Sequence, residues 1–297
     1  MGPDTYNAEQ LTKGAVTAST VTLLTVAAQR LYGLTPVDGM CGPETIHALQ
    51  SRQGTTPPVT EFVDGWYNAA KRKDVYVGKD GSRIGGFLAP KAVVFHQTDT
   101  APGGYDAMVR SWTTELGRNA SVHFLVGRGP EDGVTQFIPI TRCAYHAGEA
   151  GHGWIKTPSG GLMHPNTTMI GIEVDNAGLL TGSPGHWVHP DSGHKIADAD
   201  VYTDDRNRGW HKMTDYQKVT MTKLIKDLGQ AGVQLPEGCT VQIDQTHGDW
   251  KANGVAWAEL TPIPGYVVGH VTRDPYNNND PGPAGIEWIK EWANAPA

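Results

Sequence analysis

Cysteine is scarce in this chain: Cys41, Cys143 and Cys239 are the only three among 297 residues. They are too few and too scattered for a disulfide framework, and none is paired in a C-x-x-C clip, so buried thiols made in a reducing compartment are expected. No apolar run reaches membrane-spanning length, which argues against membrane insertion. The opening Met1-Gly2-Pro3-Asp4-Thr5-Tyr6 has neither the basic start nor the apolar stretch of a secretory signal. Synthesis in the cytoplasm without a signal peptide is therefore expected, and there is no cationic amphipathic tail to carry the chain across a membrane unaided. Positive charge is also in short supply. With a formal net charge of −7, the chain lacks the basic face a nucleic-acid binder needs to displace counterions. The one basic cluster, Lys71-Arg72-Lys73, reads as solvated surface.

What is abundant is glycine and proline, 37 and 20 residues, which point to long ordered loops rather than a helical bundle. The length suits one large domain or two ordinary ones. Near the start, Leu24, Ala27, Ala28 and Leu31 recur at helical spacing, and Gly42-Pro43 opens a second helix carrying Ile46 and Leu49. Gly54-Thr55-Thr56-Pro57-Pro58-Val59-Thr60 is polar and proline-rich and reads as a linker. We place a small all-α domain at 1–56 and a larger domain at 57–297.

In the larger domain strands and helices alternate. Ala92-Val93-Val94-Phe95 reads as a buried strand, and 105–116 as a helix with Tyr105, Met108, Val109 and Trp112 on one face. The segments 122–126 and 134–140 read as a hairpin, 169–174 as a further strand, and 214–228 as a helix carrying Val219, Met221, Leu224, Ile225 and Leu228. The pattern predicts an α/β fold with a mixed central β-sheet flanked by helices. Between the last two elements, 178–210 is a long loop rich in glycine, histidine and aspartate, expected to form a wall of a substrate groove.

Chemistry concentrates near the end of the chain. His270 follows the apolar run Tyr266-Val267-Val268-Gly269, and Asp280 sits ten positions later inside Asp280-Pro281-Gly282-Pro283. His96 stands at the end of the 92–95 strand. Two histidines and a carboxylate would leave the fourth position of a tetrahedral zinc open to water, as in hydrolytic zinc sites. Spacing alone leaves the alternative open, since a histidine at a strand end is more often a satisfied polar residue than a ligand.

Two sets of residues carry family resemblances. Ala28-Gln29-Arg30-Leu31-Tyr32-Gly33-Leu34, with Val37-Asp38-Gly39, Gly42, Thr45 and Ala48-Leu49-Gln50, resembles the small peptidoglycan-binding domain found on cell-wall enzymes. Val93-Val94-Phe95-His96-Gln97-Thr98, Val122-His123-Phe124-Leu125-Val126, Tyr145-His146-Ala147-Gly148, Ile170-Gly171-Ile172-Glu173 and the stretch from Gly269-His270 to Asp280-Pro281-Gly282 resemble, in order, the type 2 N-acetylmuramoyl-L-alanine amidases. This resemblance implies Zn2+ held by His96, His270 and Asp280. It implies cleavage of the amide joining the lactyl group of N-acetylmuramic acid to L-alanine of the stem peptide. Glu173 matches the family's general base; the tyrosine that other phage members use is replaced by Val122. Ile172 and Val174 are expected on the opposite face of the strand from Glu173, with Gly171 keeping the approach to it open.

In many active members the residue two before the ligand aspartate is a lysine that stabilises the oxyanion, and here it is Asn278. Arg273 or His146 is then the candidate to reach in. His123 and His146 are expected to shape the groove or support the ligands, whereas His186, His189, His194 and His211 fit no compact zinc motif and are expected at the surface.

The leading expectation is a bacteriolytic phage endolysin, tethered by its N-terminal module to peptidoglycan as ligand and substrate, acting as a monomer on the cell wall after release. A bacterial remodelling or recycling amidase, or a non-catalytic peptidoglycan-recognition protein, are the alternatives.

Overall fold

The apolar runs around His96 and Glu173 become the centre of a six-stranded sheet. A computed structural model describes residues 61–77, 84–87, 90–114, 120–147, 155–204, 206–233, 237, 239–241, 267–269, 281–285 and 287–288. The chain divides between Val59 and Thr60. All described residues belong to the second part, and the helical module expected at 1–56 lies outside them.

The strands are β1 (Lys71–Arg72), β2 (Ala92–Gln97), β3 (Phe124–Val126), β4 (Val134–Gln136), β5 (Met169–Val174) and β6 (Val267–Gly269), in the order β6-β2-β5-β3-β4-β1. β5 runs parallel to both β2 and β3, and β6 parallel to β2, while β3 and β4 form the antiparallel hairpin. This is the mixed α/β sheet that the sequence predicts. Every residue of β2 is buried, which fits a parallel strand covered on both faces and its unbroken apolar run.

One face of the sheet, with Val93, Phe95, Phe124, Val126, Ile170, Ile172 and Val174, packs on α3 (Asp215–Gln230) through Met221, Leu224, Ile225 and Leu228. A capping box starts this helix: Thr214 accepts from the Gln217 backbone N–H while the Gln217 side chain accepts from that of Thr214. Val219 falls off the buried stripe and is 71% exposed.

The other face packs on α1 (Tyr105–Thr113) through Tyr105 and Trp112, and on Ala147 and Ile155 beside Ala92, Val94 and Met169. The short helix α2 (Pro165–Thr168) leads directly into β5. Period-two alternation therefore puts His96, Gly171 and Glu173 on this second face, beyond the apolar cover.

A hairpin not anticipated from the sequence, Phe62–Val63 with Trp66–Tyr67, precedes β1. Asp64 and Gly65 take φ of 51° and 81° at its turn, the left-handed pair that an Asp-Gly dipeptide supplies. Tyr67 Oη donates to Asp227 at 2.6 Å and so ties the hairpin to α3. The basic cluster is exposed at Lys71, Arg72 and Lys73. Cys143 is buried and Cys239 half-buried; Cys41 lies outside the described residues. Among the described residues no helix is long and apolar enough to cross a membrane.

The 178–210 stretch is not a structureless loop. Leu179–Leu180, Gly209–His211 and Val201–Thr203 form a small antiparallel sheet with Gly209–His211 in the middle. Ala177, Leu180, Trp187, Ile196 and Val201 make its own core. Strands of two or three residues are too short for alternation to register in sequence, which is why the segment reads as loop.

Candidate active site

His96 is 2% exposed and stands directly opposite Glu173 in the β2–β5 register. The two side chains thus leave adjacent parallel strands on the same face, and both line a cavity of about 810 Å³. α1 supplies an apolar side through Met108 and Trp112, with Val122 beside them. The opposite side is polar, from Thr98, Asp99, Thr100, His189, Asp191 and Ser192.

His146 completes the floor. Asn166 Oδ1, in α2, accepts the backbone N–H groups of His146 and Ala147 at 3.0 and 2.8 Å and fixes the turn that carries it. Its ring lies over Gly171, where a Cβ would meet His146 Cγ at 2.6 Å. The expectation that Gly171 keeps an approach open is thus corrected: the glycine makes room for His146. His146 Nε2 lies 3.3 Å from the Met169 carbonyl, which can only accept, so Nε2 carries the proton. Nδ1 then accepts from His96 Nε2 at 3.0 Å, leaving the lone pair of His96 on Nδ1. A histidine whose tautomer is fixed by a donor bond from its other nitrogen is the arrangement a metal ligand requires.

His123 is fully buried outside the cavity. Its Nδ1 accepts from Gly171 N–H at 3.0 Å and its Nε2 donates to the Arg142 carbonyl at 2.9 Å. Burial pushes its pKa down to about 4, so it is a neutral strut beneath β5, in keeping with a supporting role.

Of the other predicted site residues, His270, Arg273, Asn278 and Asp280 lie outside the described residues. Their chain neighbours do not. Gly269, just before His270, pairs with Phe95, just before His96. Gly282, two after Asp280, donates its N–H to Gln97 Oε1 at 3.0 Å, and Gln97 directly follows His96. Among the described residues no three His, Cys, Asp or Glu side chains form a group that could hold a metal.

Two histidines expected at the surface are buried: His189 and His211, each 4% exposed. His189 donates from Nε2 to the Asp99 carbonyl at 3.2 Å and lines the cavity. His211 Nδ1 accepts from the Ala177 N–H at 3.1 Å and from Arg128 at 3.2 Å, and burial followed by the Arg128 charge pushes its pKa down to about 3. The alternation of buried Trp187 and His189 around half-buried Val188 is the signal that could have placed His189. His186 and His194 are exposed, as expected.

A profile of the N-acetylmuramoyl-L-alanine amidase family (Amidase_2) matches residues 86–283. The chain belongs to this family. Among solved structures it is similar to a selenomethionine derivative of AmpD, at 16% identity and a TM-score of 0.43, with 78% of this chain and 98% of that chain covered. It is similar to PlyL at 14% identity and a TM-score of 0.40, covering 76% of this chain and 99% of that one. A third is the amidase AmiD from E. coli, in complex with the substrate anhydro-N-acetylmuramic acid-L-Ala-D-gamma-Glu-L-Lys, at 18% identity, a TM-score of 0.40, and coverage of 69% and 58%. No match was found among curated protein sequences. The amidase profile spans the whole described floor, from before β2 to the 281–283 turn.

Proposed function

We propose that the protein is a zinc-dependent peptidoglycan amidase that hydrolyses the bond between the lactyl carbonyl of N-acetylmuramic acid and the nitrogen of L-alanine. The observation that carries this reading is the pairing of His96 and Glu173 in register at the floor of an open cavity. His96 would hold the metal together with His270 and Asp280, and the tautomer set by His146 fits that role. Zinc there supplies a Lewis acid and an acidified water.

Glu173 is the general base: its carboxylate takes a proton from the attacking water and returns it to the alanine nitrogen as the amide breaks. The carbonyl oxygen of the tetrahedral species is the group that Asn278 or Arg273 would meet; the expectation that His146 could do so is corrected, because its Nε2–H is spent on the Met169 carbonyl and its Nδ1 lone pair on His96. Asn278 offers a hydrogen bond without charge, so Arg273 is the residue to add one. A muramoyl peptide of the kind bound to AmiD is the expected soluble substrate. Residues 1–56 would hold the enzyme on insoluble wall and raise its effective concentration there, which favours a lytic, endolysin-like role.

Digestion of purified peptidoglycan followed by mass spectrometry tests the reaction. New N-terminal alanine is the expected product, and new reducing sugar ends in its place would identify a glycosidase and reject the amidase.

A further inference from the structure

Asp175 lies just past β5, behind the cavity wall, and is 1% exposed. Its Oδ1 accepts from Thr100 Oγ1 at 3.0 Å, while its Oδ2 is buried without a hydrogen-bond partner among the described residues. A buried carboxylate with one oxygen unpaired is costly, and an asparagine would fill the same space without the charge.

What the charge does is set direction. A carboxylate only accepts, so Thr100 must donate to it. The Thr98 Oγ1 to Thr100 Oγ1 contact, 2.7 Å long, then needs Thr98 as its donor, the longer 3.3 Å contact of Thr98 Oγ1 to the Asn176 carbonyl competing for the same proton, and Thr98 Oγ1 accepts the Asn176 N–H at 3.1 Å. The chain runs from Asn176 through Thr98 and Thr100 to Asp175 with both hydroxyl protons used. Both threonines line the cavity, so toward a ligand they offer oxygen lone pairs and no donor.

We propose that Asp175 is a positioning residue for the substrate, acting through Thr100 and Thr98 to make this part of the wall an acceptor for peptide N–H groups. The inference rests on the amidase reading, with the stem peptide as the donor-bearing ligand.

Asp175→Asn tests it. The amide keeps the shape but can turn its NH2 toward Thr100 and reverse the chain. On a muramoyl tripeptide, KM should rise roughly fivefold, the worth of one hydrogen bond, with kcat within about twofold. At neutral pH the variant should melt no lower than the wild type, which separates positioning from structural damage. Thr100→Val should raise KM similarly and Thr100→Ser should restore it. Adding Asp175→Asn to Thr100→Val should change nothing further, because the route is already cut. Thr98→Val takes the place of Thr100→Val if that variant does not fold.

An unchanged KM in Asp175→Asn, or effects that multiply with those of Thr100→Val, would overturn the proposal. Calorimetric binding of the same tripeptide to the full chain, in the Glu173→Gln background, gives the comparison without turnover. If the wild type binds the tripeptide but does not cleave it, the amidase reading fails and the binding ratios still decide the role of Asp175. If it does neither, both fall.

Discussion

Beneath His96 and Glu173 lie parallel strands whose neighbours are nearly all buried aliphatic and aromatic side chains. His189 and Asp191, on the polar side of the same cavity, stand instead on a stretch held by strands of two or three residues and the isolated bridges Thr181↔Val188 and Val188↔Lys195. That stretch relies on side chains bonding to backbone. Asp204 Oδ1 accepts from the N–H groups of Arg206 and Arg208 at 3.0 and 2.9 Å, and its Oδ2 accepts from Trp210 Nε1 at 3.0 Å and Arg208 Nε at 2.8 Å. A ladder-built floor keeps the proposed catalytic atoms in register. A wall built from polar clips can change its ligand contacts without disturbing the floor.

The sharpest separation comes from Glu173→Gln. The substitution keeps the shape of the side chain, so melting should shift little while kcat falls roughly 100-fold or more, the usual contribution of a general base. A loss seen only in KM would make Glu173 a binding residue and erase the functional difference between floor and wall.

Asp204→Ala should do the reverse. It removes the acceptor for two backbone donors, an indole and a guanidinium in a site where Asp204 is 7% exposed, and should cost about 2 to 4 kcal/mol in unfolding free energy. Trp210 would lose its anchor, and it packs so closely against Gly282 that a Cβ there would clash with its ring at Cε3. Lower thermal stability and a raised KM with kcat largely kept are the expected results. A kcat collapse equal to that of Glu173→Gln would show that the wall and the floor act as one unit.

Gly171→Ala probes the floor from below. The added methyl meets the His146 ring at 2.6 Å with β5 hydrogen-bonded on both sides, so overpacking should cost about 1 to 3 kcal/mol. On the proposed reading, in which His96 holds zinc with its tautomer fixed by His146, zinc affinity measured by competition with a chelator should also fall. Stability lost with metal affinity intact would detach His146 from the proposed metal site.

The contrast between the two regions also explains what could be read from the sequence. β2 and β5 were legible because a buried parallel strand is an unbroken apolar run, and His96 and Glu173 stand at the ends of such runs. α3 was legible from its spacing, although Val219, one of the apolar residues it carries, is exposed, since periodicity does not say which flank of a stripe meets the core. The wall was not legible. Its buried residues include His189 and His211, polar types whose burial depends on partners far along the chain, Asp99 and Arg128, and Asp204, buried by a local clip of donors that no periodic pattern marks. Gly171 was misread for the same reason, because its role is set by His146 from another element. The N-terminal module and the four predicted site residues between His270 and Asp280 fall outside the described residues.

The smallest effect concerns two buried carboxylates that are shifted in opposite directions. Burial would raise Asp204, but the Arg208 backbone N–H, the Trp210 indole and the Arg208 guanidinium outweigh it and hold the carboxyl below the ordinary carboxylate range. Its stabilisation is present above that range and is lost as pH falls through the folded-state value. For Asp175, burial dominates over the Thr100 bond and the Arg128 charge and raises the pKa from 3.8 to about 6, with Asp132 adding to the rise. The folded state then holds a proton that the unfolded chain has released, so this site favours folding most below the unfolded value and loses that advantage as pH rises through about 6. At pH 7 the shift bounds the cost of the ionised carboxylate at about 3 kcal/mol. The buried amide of Asp175→Asn gives part of this back by leaving its own polar atom short of a partner, so a net gain of about 1 to 2 kcal/mol is expected. Thermal melts should therefore show Asp175→Asn above the wild type near pH 7 and level with or slightly below it near pH 4, roughly the unperturbed carboxylate value, where the charge cost is gone and the unpaired amide remains. A gain that persists undiminished at the acid end would mean that packing, not charge, separates the two side chains, and that Asp175 is not ionised at neutral pH.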